Sequence, residues 1–147
     1  MQVKFRAMRG GIKPKRATQL AAGYDLYLPA DVQVKKGRQL IPLGFAIELP
    51  EGYEADIEPR SGFSSKGMLA SDGNRKDADV IEGKVDADYR GEVHIILNNH
   101  GEPFELACGT RIAQMTIRKH EVVEFVESEE LSETERGEGG FGHSGAV

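Results

Sequence analysis

Cysteine is almost absent from this sequence of 147 residues, and long apolar runs are missing. The single cysteine, Cys108, cannot form an internal disulfide and has no metal-ligand spacing around it, which favours a reducing compartment and a small buried side chain. Residues 1–20 contain no apolar run of about seven or more, and no stretch approaches the roughly 18 residues that span a bilayer. We therefore expect a cytoplasmic protein with no membrane partner.

An excess of positive charge is also missing, since 19 Lys and Arg residues stand against 24 Asp and Glu, for a net charge of -5. This balance argues against broad binding to nucleic acid or to anionic membranes, which select for basic surfaces. A polyphosphate ligand would need locally placed cations instead. Residues 3–16 carry six Lys or Arg and no acid, whereas residues 121–138 carry eight glutamates and Arg136 as their single cation. Such charge runs are most often solvated faces.

Helical periodicity is hard to find, whereas apolar and polar residues alternate in many places, as in residues 53–58 and 93–98. Glycine or proline recurs roughly every 8 to 12 residues, which is typical of an all-β sandwich or barrel. Further β-rich runs lie at 3–5, 24–28, 38–49, 110–117 and 122–126. The best helical candidate is the short segment 64–71, in which two serines could cap a turn or two. We predict one β domain over residues 1–135, followed by a flexible glycine-rich tail over residues 136–147.

The tail matches the pattern G-x-G-x-x-G through Gly137, Gly139 and Gly142. A dinucleotide-binding loop needs a strand before these glycines and a helix after them, and the pattern here offers neither. What remains is a backbone with many N–H groups, the guanidinium of Arg136 for phosphate oxygens and the ring of Phe141 for a base. The alternative is a disordered terminus without a ligand.

Residues 83–93 place two aspartates two positions apart, followed by a tyrosine and bounded by glycines. On a strand or hairpin arm, Asp86 and Asp88 would point to the same face, so that one could orient a water or a metal while the other pairs with Arg90. A calcium loop is excluded because Leu97 stands where the bidentate glutamate should be. The alternative is a solvated hairpin.

Two further segments carry chemistry. Arg60, Ser61 and Gly62 follow a predicted strand and precede the helical candidate, which would suit an anion, although a plain junction explains them equally well. Asp25 and Gln114 are single polar residues inside predicted strands, and buried polar groups need partners.

Taken together, five segments in this order resemble the five motifs of the homotrimeric deoxyuridine triphosphatase (dUTPase) family. They are AGYDL at 22–26, PRSG at 59–62, GKVDADYRGE at 83–92, RIAQM at 111–115 and RGEGGFGHSG at 136–145. The resemblance implies a distorted jelly roll of antiparallel strands that assembles as a trimer. It also implies magnesium-dependent hydrolysis of dUTP to dUMP and pyrophosphate, which keeps uracil out of DNA and supplies dUMP for thymidylate synthesis.

The resemblance assigns roles around the phosphates. Asp86 would orient and deprotonate the water that attacks the α-phosphorus, and Gln114 would hold that water or a phosphate oxygen. Asp25 would bind Mg²⁺ through the waters of the ion, since magnesium dehydrates reluctantly. The phosphates would be cradled by Arg60, Ser61 and Gly62.

The resemblance also assigns roles around the nucleoside. Tyr89 would pack on the deoxyribose and leave no room for a 2′-hydroxyl, and the backbone of Gly83, Lys84 and Val85 would read uracil. Val80 stands where many relatives carry an asparagine near the base. The tail would close over a site built between subunits, with Phe141 on the uracil, Arg136 at the γ-phosphate and Gly142 among the glycines that let the backbone approach the triphosphate.

Two departures leave alternatives open. His143 and Ser144 stand where Ser-Thr is common, and the charged insert at 72–82 is unusual. A deoxycytidine triphosphate deaminase could produce parts of the pattern, although such enzymes lack a segment like DADYRGE. A regulatory protein partner that binds the insert would act in addition to catalysis.

Overall fold

The computed structural model describes residues 1–141, and over these residues the chain forms short antiparallel strands and one helix. The strands of this part of the chain are β1 (Lys4–Ala7), β2 (Tyr24–Tyr27), β3 (Val32–Val34), β4 (Gly37–Pro42), β5 (Phe45–Glu48), β6 (Tyr53–Glu58), β7 (Met68–Leu69), β8 (Arg75–Lys76), β9 (Ala78–Ile81), β10 (Gly83–Val85), β11 (His94–Asn99), β12 (Phe104–Leu106) and β13 (Arg111–Lys119). The helix is α1 (Ser61–Lys66).

The strands pair in several sheets rather than in one closed barrel. The largest sheet has the order β10-β6-β13-β2, a second has the order β4-β11-β9, and three pairs are formed by β1-β5, β12-β3 and β7-β8. The prediction of an all-β fold with at most one short helix is confirmed. The described helix is too short to cross a membrane.

The core follows from the alternation in the sequence. In β11, Ile95, Leu97 and Asn99 are buried while the residues between them are partly exposed, as a two-residue period requires. In β6, Ala55 and Ile57 face the same core and leave the acidic residues of that strand on the other side. One face of the largest sheet is therefore apolar, and the opposite face carries polar side chains.

Three local predictions are wrong. The helix was predicted at 64–71, but it begins three residues earlier, at Ser61, and ends at Lys66. Gly67 ends the helix with a φ of +79°, and a Cβ there would lie 2.7 Å from the carbonyl oxygen of Lys76, so the chain turns into the β7-β8 hairpin. The run 122–126 forms no strand and its apolar side chains are exposed. Cys108 is exposed as well.

Candidate functional site

A polar cavity of about 460 Å³ brings together residues from three of the five sequence motifs. It is lined by Ala17, Ala21, Ala22, Gly23, Asp25, Glu58, Arg60, Ser61, Gly62, Gln114, Thr116 and Arg118. Strand pairing explains this convergence, because Gln114 on β13 lies opposite Asp25 on β2 and opposite Glu58 on β6. Asp25 and Gln114, which are 89 positions apart in the sequence, therefore meet on one polar sheet face.

Asp25 is buried at the edge of the polar cavity and is held by two arginines. Its Oδ1 lies 3.1 Å from Nε of Arg60, and its Oδ2 lies 3.2 Å from Nη1 of Arg111. A carboxylate that is 8% exposed needs such partners, because desolvation of an unpaired charge is costly. Arg111 belongs to the fourth motif, but its contact with Asp25 was not foreseen, since nothing local in the sequence signals this long-range pair.

Arg60 is held in place at the start of α1. Its Nη1 donates to the carbonyl oxygen of Arg111 at 3.1 Å, and its guanidinium lies 5.7 Å from the ring centroid of Phe63. The N–H groups of Ser61 and Gly62 begin the helix, where N–H groups have no acceptor within the helix. The polar cavity is thus lined by a guanidinium and by the residues that carry the helix-start N–H groups, which suits phosphate oxygens.

Gln114 is oriented by the backbone on two sides. Its Nε2 donates to the carbonyl oxygen of Pro59 at 3.2 Å, and its Oε1 lies against Gly23. A Cβ at Gly23 would lie 2.6 Å from that oxygen, too close for the glutamine side chain to stay where it is, and a tight 3.3 Å from Cβ of Gln114. The glycine of the first motif is therefore needed for the position of the glutamine of the fourth.

The polar face continues beyond the residues that the motifs supplied. Thr116 and Arg118 follow Gln114 on β13 at two-residue spacing and line the same cavity with Glu58. Arg118 pairs with Glu58 at 2.6 Å and with Asp56 at 3.2 Å. Alternation along residues 110–117 was a sufficient signal to find Thr116, because it shares a face with Gln114.

A second cavity, of about 320 Å³ and mostly apolar, is lined by part of the third motif. It is lined by Leu40, Ile57, Ile81, Gly83, Lys84, Val85, Tyr89, Glu92, Val93, His94 and Ile96. The ammonium of Lys84 lies 2.7 Å from Asp56 and 2.5 Å from Glu54 on β6, and these hydrogen bonds raise the pKa of Lys84. The side chain of Lys84 is therefore directed to β6, and the part of Lys84 that a ligand in this cavity can contact is its backbone.

Val80, which the resemblance places near the base, lies in the core. The residue is 6% exposed. It lies in β9 opposite Leu97 of β11, and it lines neither the polar nor the apolar cavity. Its side chain belongs to the core because β9 alternates, and the next residue, Ile81, faces the apolar cavity instead. A contribution of this position to base binding therefore stays a prediction for its backbone.

Asp86 and Asp88 lie in a turn and not on a strand as predicted. β10 ends at Val85, and the N–H of Tyr89 donates to the carbonyl oxygen of Asp86 at 3.1 Å. The predicted ion pair with Arg90 is replaced by hydrogen bonds from its Nη1 to the carbonyl oxygens of Ala87 and Tyr89, at 2.6 and 3.2 Å. Asp86 is exposed and lines neither of the two cavities.

The described part of the tail lies away from both cavities. Nε of Arg136 donates to the carbonyl oxygen of Gly139 at 2.6 Å, and Phe141 is fully exposed. Neither residue lines the polar or the apolar cavity. Gly142, His143 and Ser144 lie outside the described residues. The predicted site residues thus form three groups on one chain: the polar cavity, the turn and apolar cavity of motif three, and the tail.

Residues 1–141 contain no group of three or more His, Cys, Asp or Glu side chains that could hold a metal ion by themselves. Two carboxylates, those of Asp25 and Glu58, nevertheless line the polar cavity. Magnesium is commonly held by one or two carboxylates, by waters and by the phosphates of a substrate. The donor set therefore fits an ion that arrives with a phosphate ligand.

A cavity that combines arginines, helix-start N–H groups, a carboxylate and an amide is typical of proteins that bind phosphorylated ligands. The chain belongs to the dUTPase family, whose family model matches residues 10–145. It is 45% identical over 139 residues to the deoxyuridine 5'-triphosphate nucleotidohydrolase of Beijerinckia indica subsp. indica, covering 90% of this chain and 82% of the relative.

Solved structures of phage dUTPases are also similar. The Staphylococcus bacteriophage 80alpha dUTPase with dUPNHPP has a TM-score of 0.87 and 27% identity, covering 99% of both chains. A mutant dUTPase from phage phi11 of S. aureus, described with a structural Mg(II) ion, has a TM-score of 0.77 and 22% identity, covering 88% of this chain and 98% of that one. The second likeness concerns the fold alone.

Proposed function

We propose that this chain hydrolyses dUTP to dUMP and pyrophosphate by attack of water on the α-phosphorus. The family and the named relative support dUTP hydrolysis and do not favour a dCTP deaminase. The observation that carries the proposal is the convergence of Asp25, Arg60, Gln114 and the start of α1 on one polar cavity. The test is pyrophosphate release from dUTP, dCTP, dTTP and UTP, with dUTP expected to be strongly preferred.

In this proposal, the chain binds the triphosphate mainly by charge and geometry. Arg60 and the N–H groups of Ser61 and Gly62 bind phosphate oxygens, and Gln114 orients the attacking water or a neighbouring oxygen. Positioning and charge stabilisation supply most of the rate in phosphoryl transfer, and a general base adds about 10² to 10⁴. Asp86 is the proposed base, which accepts the proton of that water.

Magnesium is the proposed cofactor, since the donor set of the polar cavity fits an ion held through waters by Asp25. When bound there, the ion would supply positive charge that neutralises the triphosphate. The carboxylate of Asp25 is oriented by two guanidiniums, so it is prepared to accept hydrogen bonds from the waters of the ion.

Uracil is proposed to occupy the apolar cavity, where the backbone of Gly83, Lys84 and Val85 can match its O2, O4 and N3–H. Cytosine would present the wrong donors and acceptors, and one mispaired buried polar group costs about 1 to 3 kcal/mol. Tyr89 is proposed to pack against the sugar. Residues 136–147, with Arg136, Phe141 and Gly142, are proposed as a lid over the bound nucleotide.

We also propose that the working site is completed by other subunits of a homotrimer. Asp86, Arg136 and Phe141 do not line the polar cavity of their own chain, although the proposed reaction needs them around the same bound nucleotide. The segment that precedes the tail supports association, because it exposes the apolar side chains of Val122, Val123, Phe125, Val126 and Leu131. Light scattering should report about three times 16.1 kDa.

Complementation between two inactive variants tests the shared site. We expect Asp86→Asn and Gln114→Ala each to retain only a small but measurable activity as pure trimers. When the two are co-expressed in equal amounts, random assortment should restore about a quarter of the sites, because some subunit pairs then combine an intact Asp86 with an intact Gln114. The same variants mixed after separate purification are the control. Activity that stays at the level of the single variants would place both residues in the same subunit's site.

Gly23→Ala is expected to lower kcat/KM for dUTP by about tenfold or more, because the new methyl group displaces Gln114 and misplacement of a positioning group is costly. Steady-state assays with dUTP measure the effect. Gly101→Ala is the matched control, since its Cβ would meet only Oδ1 of Asn99, at 3.9 Å. In a Gln114→Ala background, Gly23→Ala should cause little further loss. Equal losses in both backgrounds would contradict this explanation.

The charged insert at 72–82 remains a predicted contact for a regulatory protein. The insert begins in the β7-β8 hairpin, where Asp72 pairs with Lys76 at 2.7 Å and Nη1 of Arg75 donates to the carbonyl oxygen of Gly67. These contacts hold the hairpin itself and do not favour a partner.

A further inference from the structure

Glu92 ends the third motif, and hydrogen bonds from four other residues converge on it. Its carboxylate accepts the N–H of Gly44 at 3.0 Å and forms an ion pair with Arg9. Its carbonyl oxygen accepts the hydroxyl of Tyr89 at 2.9 Å and lies 2.9 Å from Nδ1 of His94. The side chain of Glu92 is only 12% exposed, so its charge depends on these partners.

Tyr89 is held by its neighbours in a folded-back position. A Cβ at Gly91 would lie 2.5 Å from Cζ of Tyr89 and closer still to its hydroxyl oxygen, so the ring lies directly over this glycine. The same hydroxyl donates to the carbonyl oxygen of Glu92, which follows Gly91 in the chain. The position of the ring at the apolar cavity therefore depends on where residues 91 and 92 are held.

Residues 92 and 93 are held by the turn between β4 and β5. The N–H of Val93 donates to the carbonyl oxygen of Phe45 at 2.8 Å, and the N–H of Leu43 donates to the carbonyl oxygen of Val93 at 3.0 Å. Gly44, at the centre of this turn, has a φ of +70° and donates to the carboxylate of Glu92. The carboxylate thus ties the tyrosine-bearing segment to a rigid turn at a third point.

The basic N-terminal segment contacts both Gly44 and Glu92. Gly44 accepts a hydrogen bond from the N–H of Met8, and a Cβ on Gly44 would lie 2.7 Å from the carbonyl oxygen of Met8. Arg9, the next residue, has a φ of +38°, a backbone conformation uncommon outside glycine. Its guanidinium reaches the carboxylate of Glu92. Of the six cations in residues 3–16, Arg9 therefore has a specific role.

We propose that Glu92, supported by Arg9 and the Gly44 turn, is a positioning residue that fixes Tyr89 against the sugar and so sets discrimination between deoxyribonucleotides and ribonucleotides. This inference rests on the proposed function, in which Tyr89 packs on the deoxyribose. The ring of Tyr89 can exclude a 2′-hydroxyl only if it is held in a fixed position. Loosening the residues that hold the ring should admit UTP without removing any group that touches the phosphates.

The ratio of kcat/KM for dUTP to kcat/KM for UTP measures this discrimination, because the two substrates differ only in the 2′-hydroxyl. We expect Glu92→Ala to lower the ratio by about tenfold, with most of the change in the UTP value. Tyr89→Phe, which keeps the ring and removes its hydrogen bond to Glu92, should lower it by about threefold. Glu92→Gln should recover much of the ratio, since its amide oxygen can still accept from Gly44.

Arg9→Ala should have a smaller effect than Glu92→Ala, because Arg9 is largely exposed and solvent screens its ion pair. Lys4→Ala is the matched control. It breaks an exposed ion pair of the same N-terminal segment, with Glu48, and should leave the ratio within about twofold. Thermal unfolding of every variant separates lost stability from lost discrimination, and Tyr89→Phe and Arg9→Ala serve as probes if Glu92→Ala does not fold.

Tyr89→Ala distinguishes failure of this inference from failure of the proposed function. If Tyr89→Ala leaves the ratio unchanged, Tyr89 does not select the sugar, and both the proposed role of Tyr89 and this inference fall. If Tyr89→Ala lowers the ratio but the Glu92 variants and Tyr89→Phe keep it at the wild-type value, only the inference is overturned. A lowered melting temperature with an unchanged ratio in Glu92→Ala also overturns it, since that result describes a merely structural residue.

Discussion

Asp86→Asn is expected to lower turnover of dUTP by about 10² or more while binding of dUTP stays nearly intact. The substitution keeps the size of the side chain but removes the proposed proton acceptor for the attacking water. Because Asp86 lies in an exposed turn and outside the polar cavity of its own chain, the loss should fall on chemistry rather than on folding. Steady-state kinetics give the turnover, and calorimetry with a non-hydrolysable dUTP analogue gives the affinity.

Asp88→Asn is the matched control, since it makes the same change two residues away in the same exposed turn. It should have less effect on turnover than Asp86→Asn, and its effect should appear mainly in local stability. If Asp88→Asn abolished turnover and Asp86→Asn did not, the assignment of the base within the third motif would be wrong.

Truncation after Glu135 is expected to reduce catalysis by roughly 10² to 10³, the range seen when one preorganised charge-stabilising donor is lost. The proposed trimer and the thermal stability of the protein should change little. The reason is that the described tail makes only local hydrogen bonds, from Arg136 to Gly139 and from Gly137 to Thr134, and leaves Phe141 exposed. Activity assays, light scattering and thermal unfolding of the truncated chain measure the three quantities.

Single substitutions in the tail should separate its two proposed roles. Phe141→Ala should weaken binding by about 1 to 3 kcal/mol, the value of stacking one base on an aromatic ring. Arg136→Ala should act mainly on turnover, because the γ-phosphate loses a cation while the base keeps its stack. Hydrogen exchange of residues 136–141 should slow markedly when a dUTP analogue and magnesium are added. Unchanged exchange, together with full activity of the truncated chain, would mean that the tail is a terminus without a catalytic role.

Much of the fold could be predicted because strand patterns are local. Alternation along residues 53–58 and 93–98 reflects the two-residue period of a pleated strand, and both segments are strands with one buried side. The failures lie where neighbours distant in the chain decide the structure. The helix was predicted to run past Gly67, which lies against the backbone of Lys76, and the apolar run 122–126 had the composition of a strand but pairs with no strand among the described residues.

The chemistry of the site could be predicted only as a set of residue types. The sequence by itself determined the strand periodicity, the five ordered motifs and hence the dUTPase resemblance, because these depend on residues that are close in the chain. Only the tertiary structure decided that Gln114 lies opposite Asp25, that Arg111 pairs with Asp25, and that Glu92 joins Arg9 to Tyr89. The physical reason is that strand register and long-range hydrogen bonds follow from how distant segments pack together. The pattern within one strand shows which side chains share a face, but it does not identify the distant strand that pairs with it.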